Sequence, residues 1–129
     1  MTNKEIVLTF VKAINDHDVD KIFYLMSDDH VFIDGYGNNQ EGRNSMKESW
    51  QNYYQMFPDY RVEITESIEN DSVIGLFGYV SGTCKINNEK TNINFWKTTA
   101  AWKAIVENQK IKLWQVYCDY TRLMEIIKK

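Results

Sequence analysis

Two short runs put groups capable of proton transfer on single strand faces. In His30-Val31-Phe32-Ile33-Asp34, the two-residue alternation of a strand sets His30, Phe32 and Asp34 on one side. A histidine and a carboxylate then each sit within two residues of Phe32, roughly 7 Å of rise. In the last run before the C-terminus, Gln115, Tyr117 and Asp119 share a face in the same way. Three polar-tipped side chains in a row suit a pocket with a few placed polar groups. Asp34 is the favoured acid/base group, with His30 and Tyr117 as neighbours and Asp119 as its rival. If either carboxyl is buried, desolvation raises its pKa and poises it for general acid/base work. Structural roles stay open for each. Asp34 could accept from the backbone of Gly35 to Gly37 as a turn residue. His30 could sit half solvated against a loop, and the Gln115, Tyr117 and Asp119 face could be the exposed face of the sheet, or Asp119 could cap a turn near Arg122.

The elements that must position these groups follow from periodicity. Ile6, Phe10 and Ile14 recur at helical spacing, and the helix they imply stops near Asn15-Asp16-His17. Asp18 reads as the N-cap of a short second helix whose apolar face is Val19, Ile22, Phe23 and Met26. A strand over 30–34 ends at the turn cluster Gly35-Tyr36-Gly37-Asn38-Asn39. A third helix opens in Gly42-Arg43-Asn44-Ser45, with Ser45 and Glu48 at capping-box spacing. Its stripe is Met46, Trp50, Tyr54 and Phe57, and Pro58 ends it.

Beyond Pro58 the period falls from about 3.6 to 2. Residues 60–67, 73–86, 93–106 and 110–120 read as four strands, with hairpin turns at Glu69-Asn70-Asp71, Asn87-Asn88-Glu89 and Glu107-Asn108-Gln109. Two of them far exceed the usual strand of about five or six residues, so they must bend. Gly75, Gly78 and Gly82 are the places where a bend or bulge forms most easily. In the third of these strands Lys97 and Lys103 mark one face as wet, leaving Trp96 and Trp102 for the inner or interface wall. The expected fold is α+β: three N-terminal helices packed in the concave side of a strongly curved, mostly antiparallel sheet. It encloses an apolar pocket walled by Trp50, Tyr54, Phe57, Trp102, Phe32 and Gln115. The same aromatic stripe at helical spacing is also what a plain core looks like.

Composition sets the outer bounds. The 129 residues, with 43% hydrophobic and 26% charged, suit one globular domain spanning 1–129. Four Trp, eight Tyr and six Phe give an aromatic share of 14%, enough to wall a cavity as well as fill a core. The net charge of −3 and the lack of a basic stripe speak against a nucleic-acid partner. No apolar run approaches the roughly 20 residues of a membrane span, and the amphipathic N-terminus does not read as a signal peptide. Cys84 and Cys118 are too few and too far apart for a disulfide framework or a metal knuckle, so a cytoplasmic location is expected. Two histidines without metal-site spacing, and no GxSxG, P-loop or GxGxxG, leave no metal or other cofactor expected.

The order helix, helix, strand, helix and four long strands resembles the superfamily of ketosteroid isomerases, SnoaL-like polyketide cyclases and nuclear transport factor two. The resemblance spans nearly the whole chain. Its local marks are residues 13–20, 26–34, Glu41-Gly42-Arg43, Phe57-Pro58-Asp59-Tyr60 and the strand Trp114 to Asp119. It implies the cone fold, a small apolar ligand and a homodimer built on the outer face of the sheet. Ketosteroid isomerases pair an Asp base with an oxyanion hole of a Tyr and a protonated Asp. Carried over, the base falls on Asp34, the Tyr position on Phe10, and the protonated Asp on Ala101 or Trp102. Both oxyanion donors are therefore missing, and one such donor is worth roughly 2.7–4 kcal/mol. True ketosteroid isomerase activity is not expected. The resemblance leaves two readings: a cofactor-independent isomerase or cyclase acting on an apolar ring or polyketide-like ligand, or a non-catalytic ligand-binding or dimerisation domain.

Overall fold

The computed structural model describes residues 1–85 and 94–128. Helix α1 (Asn3–Asn15) starts at a capping box in which the Thr2 hydroxyl accepts from the Glu5 N–H and the Glu5 carboxylate accepts from the Thr2 N–H. Its stripe of Ile6, Phe10 and Ile14 is buried. Asp18 caps α2 (Val19–Leu25), its carboxylate accepting from the Lys21 N–H. Met26, assigned to that helix face by the periodicity, instead opens β1 (Met26–Ile33) as a fully buried strand residue.

Two elements were not legible as such. The turn cluster after Asp34 leads into a short strand, β2 (Asn39–Glu41), which pairs antiparallel with Val31 to Ile33. Helix α3 (Arg43–Met56) then begins behind Gly42, whose φ of 90° is a left-handed conformation that glycine adopts at little cost. The Ser45–Glu48 capping box is corrected accordingly: Ser45 lies inside the helix, and its hydroxyl accepts from the Gln40 amide at 2.6 Å. At the other end, α4 (Thr121–Ile127) follows the last strand and buries Leu123 and Ile126.

The remaining strands are β3 (Arg61–Asn70), β4 (Val73–Thr83), β5 (Phe95–Glu107) and β6 (Lys110–Cys118). The β5–β6 hairpin turns on Asn108 and Gln109, both at positive φ, as a two-residue primed turn needs. The turn expected at 87–89 lies outside the described residues. All six strands form one sheet, β2-β1-β6-β5-β4-β3, antiparallel except where β1 meets β6. One extra residue in β3, Thr65, bulges opposite Gly78. A Cβ on Gly78 would collide with the Glu63 carbonyl, so the bulge requires a residue without a side chain there. A second bulge sits in β6. Val106 faces Ile111 but Ile105 faces Leu113, so Lys112 is the extra residue.

The sheet curves around the helices, and the core lies between them, from Phe10 and Ile14 of α1 to Ile74, Leu76 and Ala104 of the sheet. Among the described residues, no helix is long and apolar enough to cross a membrane.

Candidate functional site: an aromatic cavity at the mouth of the cone

One stripe of α3 and the inner faces of β4, β5 and β6 do not close completely, leaving a cavity of about 390 Å³. From α3 and its C-terminus come Met46, Ser49, Trp50, Tyr53, Met56 and Phe57, on one side of the helix. Facing them are Val80, Trp96 and Trp102, then Trp114, Val116 and Cys118 at even positions of β6. Phe32 and Asp34 at the end of β1, with Tyr36 and Gln40, form one rim. Tyr120 and the α4 residues Leu123, Met124 and Ile127 form the other. Rings set against rings stiffen the wall: Trp102 stacks on Trp114 at 6.3 Å, and Phe57 meets Trp96 edge-on at 5.7 Å.

The polar atoms in this wall are mostly neutral. The phenols of Tyr53 and Tyr60 hydrogen-bond to each other, and their rings meet edge-on at 4.9 Å. The Tyr120 phenol donates to the Cys118 thiol. Burial pushes all three phenols well above the ordinary tyrosine range, and burial likewise raises the Cys118 thiol. These groups stay protonated at neutral pH and serve as hydrogen-bonding groups, not as charges. The Trp96 indole N–H is buried in the wall with no partner among the described residues.

The sequence-derived site residues divide sharply. Phe32, Trp50, Phe57 and Trp102 line the cavity. Tyr54 does not: its hydroxyl donates to the Ile14 carbonyl at 2.7 Å and its ring stacks on His17 at 3.9 Å, locking it between helix and loop. Asp34 is in the rim, but as a turn residue. Its Oδ1 accepts from the Tyr36 and Asn38 N–H groups at 2.9 and 3.0 Å, and its Oδ2 from the Asn38 amide at 3.3 Å. His30 is 1% exposed and lies behind the wall against Phe10. Its Nδ1 is 2.7 Å from the Ile111 carbonyl, which can only accept, so the ring carries its proton on Nδ1. Desolvation lowers its pKa and keeps the imidazole neutral, against the Ile111 hydrogen bond and Asp29, which act the other way.

Gln115, Tyr117 and Asp119 are not brought to the cavity. Gln115 sits opposite Lys103 on the outer face, and Tyr117 is 51% exposed beside Ala101. Asp119 is exposed, and its Oδ1 accepts from the Thr121 hydroxyl and N–H at 2.6 and 2.9 Å. Those bonds, the hydroxyl first, hold its carboxyl below the usual range. It fastens the start of α4, the role left open for it beside Arg122. The reason for the inverted face is the bulge at Lys112, after which even positions of β6 point inward. Periodicity alone also missed Tyr53, Tyr60, Tyr120 and the α4 residues. Trp114, Val116 and Cys118 had a readable signal, since they form the apolar alternate of the same strand. Among the described residues no group of His, Cys, Asp and Glu is arranged to hold a metal ion.

A candidate SnoaL-like polyketide cyclase from Shewanella denitrificans superposes with a TM-score of 0.85 at 13% identity, over 98% of this chain and 96% of that one. IdmH, a candidate polyketide cyclase from Streptomyces antibioticus, superposes with 0.81 at 15% identity over the whole of both chains. A protein of ketosteroid isomerase-like fold from Catenulispora acidiphila, solved in complex with trimethylamine, gives 0.81 at 17% identity over 96% and 92%. At such identities these likenesses establish the fold. No curated protein matches the sequence significantly. The SnoaL-like domain family model matches residues 7–114, and this chain belongs to that family.

Proposed function

We propose that this chain is a ligand-binding SnoaL-like protein that holds a small, apolar, ring-bearing molecule, of the polyketide type in size and shape, inside the cone. The observation that carries this reading is the cavity itself. About 390 Å³ lies between Trp50, Trp96, Trp102, Trp114, Tyr53 and Tyr60, with neutral hydroxyls as its main polar groups. That is the usual make-up of a small-molecule site: apolar walls and a few convergent donors. Titration with neutral fused-ring compounds should quench tryptophan fluorescence and raise the melting temperature. Absence of both responses across a panel of two- to four-ring compounds would sink the reading.

A catalytic role is the second reading, favoured by one observation, the presence of the Asp34 carboxylate in the cavity rim. In it Asp34 takes a proton from the bound ring system and a wall phenol supports the oxygen where charge develops. Its weakness is chemical. Asp34 is tied down by three donors, and His30 and Tyr117 are not at hand to relay a proton. Asp34→Asn should abolish any proton transfer while neutral ligands still bind. The outer face of the sheet, with Phe77, Tyr79, Phe95 and Tyr117 exposed, is our proposed homodimer surface. Sedimentation at micromolar concentration giving only the 15.3 kDa species would remove it.

A further inference from the structure

We propose that the mouth of the cavity is a head-group site for an organic ammonium ion, so that the ligand is a cation carried on an apolar ring body. The inference rests on the reading that the cavity holds a ring ligand, and adds the sign of its charge. Asp34 is the one charged group among the described residues that line the cavity. Among the described residues no Lys or Arg lies within ion-pair distance of it. Its three hydrogen bonds, to the N–H groups of Tyr36 and Asn38 and to the Asn38 amide, aim the carboxylate without neutralising it.

Two aromatic rings share the rim with this carboxylate. Tyr36 and Tyr120 lie with centroids 5.0 Å apart at 36°, both in the cavity rim. Tyr120 cannot swing toward the loop, because Gly35 packs so closely against it that even a Cβ would strike the ring. A carboxylate and electron-rich rings in one rim are the groups that attract alkylated ammonium ions. The adjoining surface cleft, which shares Tyr36 and Tyr120, carries Asp119 and Glu125 against Lys128, and Glu125 pairs with Arg122 at 3.7 Å. The approach therefore offers an organic anion no cationic surplus. An anion inside would meet a wall with no positive charge and would pay its full desolvation. A cation at the rim keeps part of its water, because Asp34 is only half-buried, while its ring body fills the aromatic interior.

The test compares three probes sharing one ring body by isothermal titration calorimetry: (2-naphthylmethyl)trimethylammonium, 2-naphthylmethanol and 2-naphthylacetate. The ammonium should bind tightest, by about tenfold over the alcohol, and the acetate weakest. Asp34→Asn keeps an amide oxygen that can accept from Tyr36 and Asn38, so the turn survives while the charge is lost. It should weaken the ammonium about tenfold and the alcohol by less than about threefold. Tyr36→Leu, at an exposed position, should lower the ammonium-to-alcohol ratio without touching the carboxylate. Equal affinities for ammonium and alcohol, or a ratio unchanged in Asp34→Asn, would overturn the inference while leaving the ring-binding reading intact. Failure of all three probes to bind would overturn both.

Discussion

On β6 the inner face carries Trp114, Val116 and Cys118, and the outer face carries Gln115 and Tyr117. β1 presents its alternates differently: His30 goes into the core, Phe32 into the cavity wall and Asp34 into the rim, all on one side. The two strands are parallel neighbours and each is followed by an aspartate, yet only one aspartate reaches the cavity. The difference is one residue of register. Ile111 points inward opposite Val106, and counting on by twos from it would carry Leu113, Gln115, Tyr117 and Asp119 inward as well. Lys112 interrupts that count and exchanges the faces. The bulge thus sets the make-up of the cavity: it chooses an aromatic wall over a polar one.

The largest expected effect lies on that wall. Trp114 is 2% exposed, stacked on Trp102 and edge-on to Phe10 at 5.0 Å. Trp114→Ala should cost roughly 3–5 kcal/mol in urea unfolding, whereas Tyr117→Ala should change monomer stability by less than about 0.5 kcal/mol. Comparable losses at the two sites would mean that the faces are assigned wrongly. A smaller contrast concerns ligand. Val116→Trp puts a further indole into the cavity and should weaken neutral ring compounds by at least about tenfold, at a stability cost of roughly 1–3 kcal/mol. Tyr117→Trp on the outer face should leave their affinity within about twofold. Equal binding by both variants would remove the cavity as the site of uptake.

What the sequence disclosed, and what it withheld, follows the same line. The helical stripe of α1, the cap at Asp18, the stop at Pro58 and the shared face of Trp96 and Trp102 were all readable, because each rests on neighbours within one element. Lys97 and Lys103 marked the wet face of β5 directly. β6 carries its lysines before and within the bulge, where they say nothing about the phase that follows. Tyr53 and Tyr54 adjoin on α3, and only the positions of Ile14 and Tyr60 decide that Tyr53 lines the cavity while Tyr54 ties the helix to α1. Helix α4 was missed because seven residues barely show a helical period. The aspartate that fastens its start looked equally like the end of a strand.

His30 provides a third prediction, smaller and dependent on pH. Burial holds its pKa below the ordinary value of 6.5, so the folded protein binds fewer protons than the unfolded chain between those two values. The stability that this contributes is complete above pH ~6.5 and is lost as pH falls through the depressed value. The melting temperature should therefore decline from pH 7 toward pH 5, a window above the ordinary carboxylate pKa near 4. His30→Gln, neutral throughout, should flatten that decline even if its overall stability is lower. A decline of equal slope in the variant would show that another group carries it.

The smallest effect should come from Asp119, and it completes the contrast between the two terminal aspartates. Asp119 is exposed, and its carboxylate accepts from the Thr121 hydroxyl and N–H, which would otherwise be unpartnered at the start of α4. Those bonds lower its pKa, so their contribution is present above the ordinary value near 3.9 and disappears as pH falls through the depressed one. At neutral pH, Asp119→Ala should loosen α4 without disturbing the sheet. The expected signature is faster hydrogen exchange at the Met124 and Lys128 amides, whose bonds to Tyr120 and Met124 close the helix. Exchange in β5 and β6 should stay as in the parent. Because Leu123, Met124 and Ile127 form one rim of the cavity, ring compounds should dissociate somewhat faster, with little change in how they enter. Asp34→Asn should do the reverse, leaving α4 exchange alone and altering what the cavity accepts. If Asp119→Ala changed ligand selectivity as Asp34→Asn does, the division of labour between the two aspartates would fail, and Asp119 would belong to the site after all.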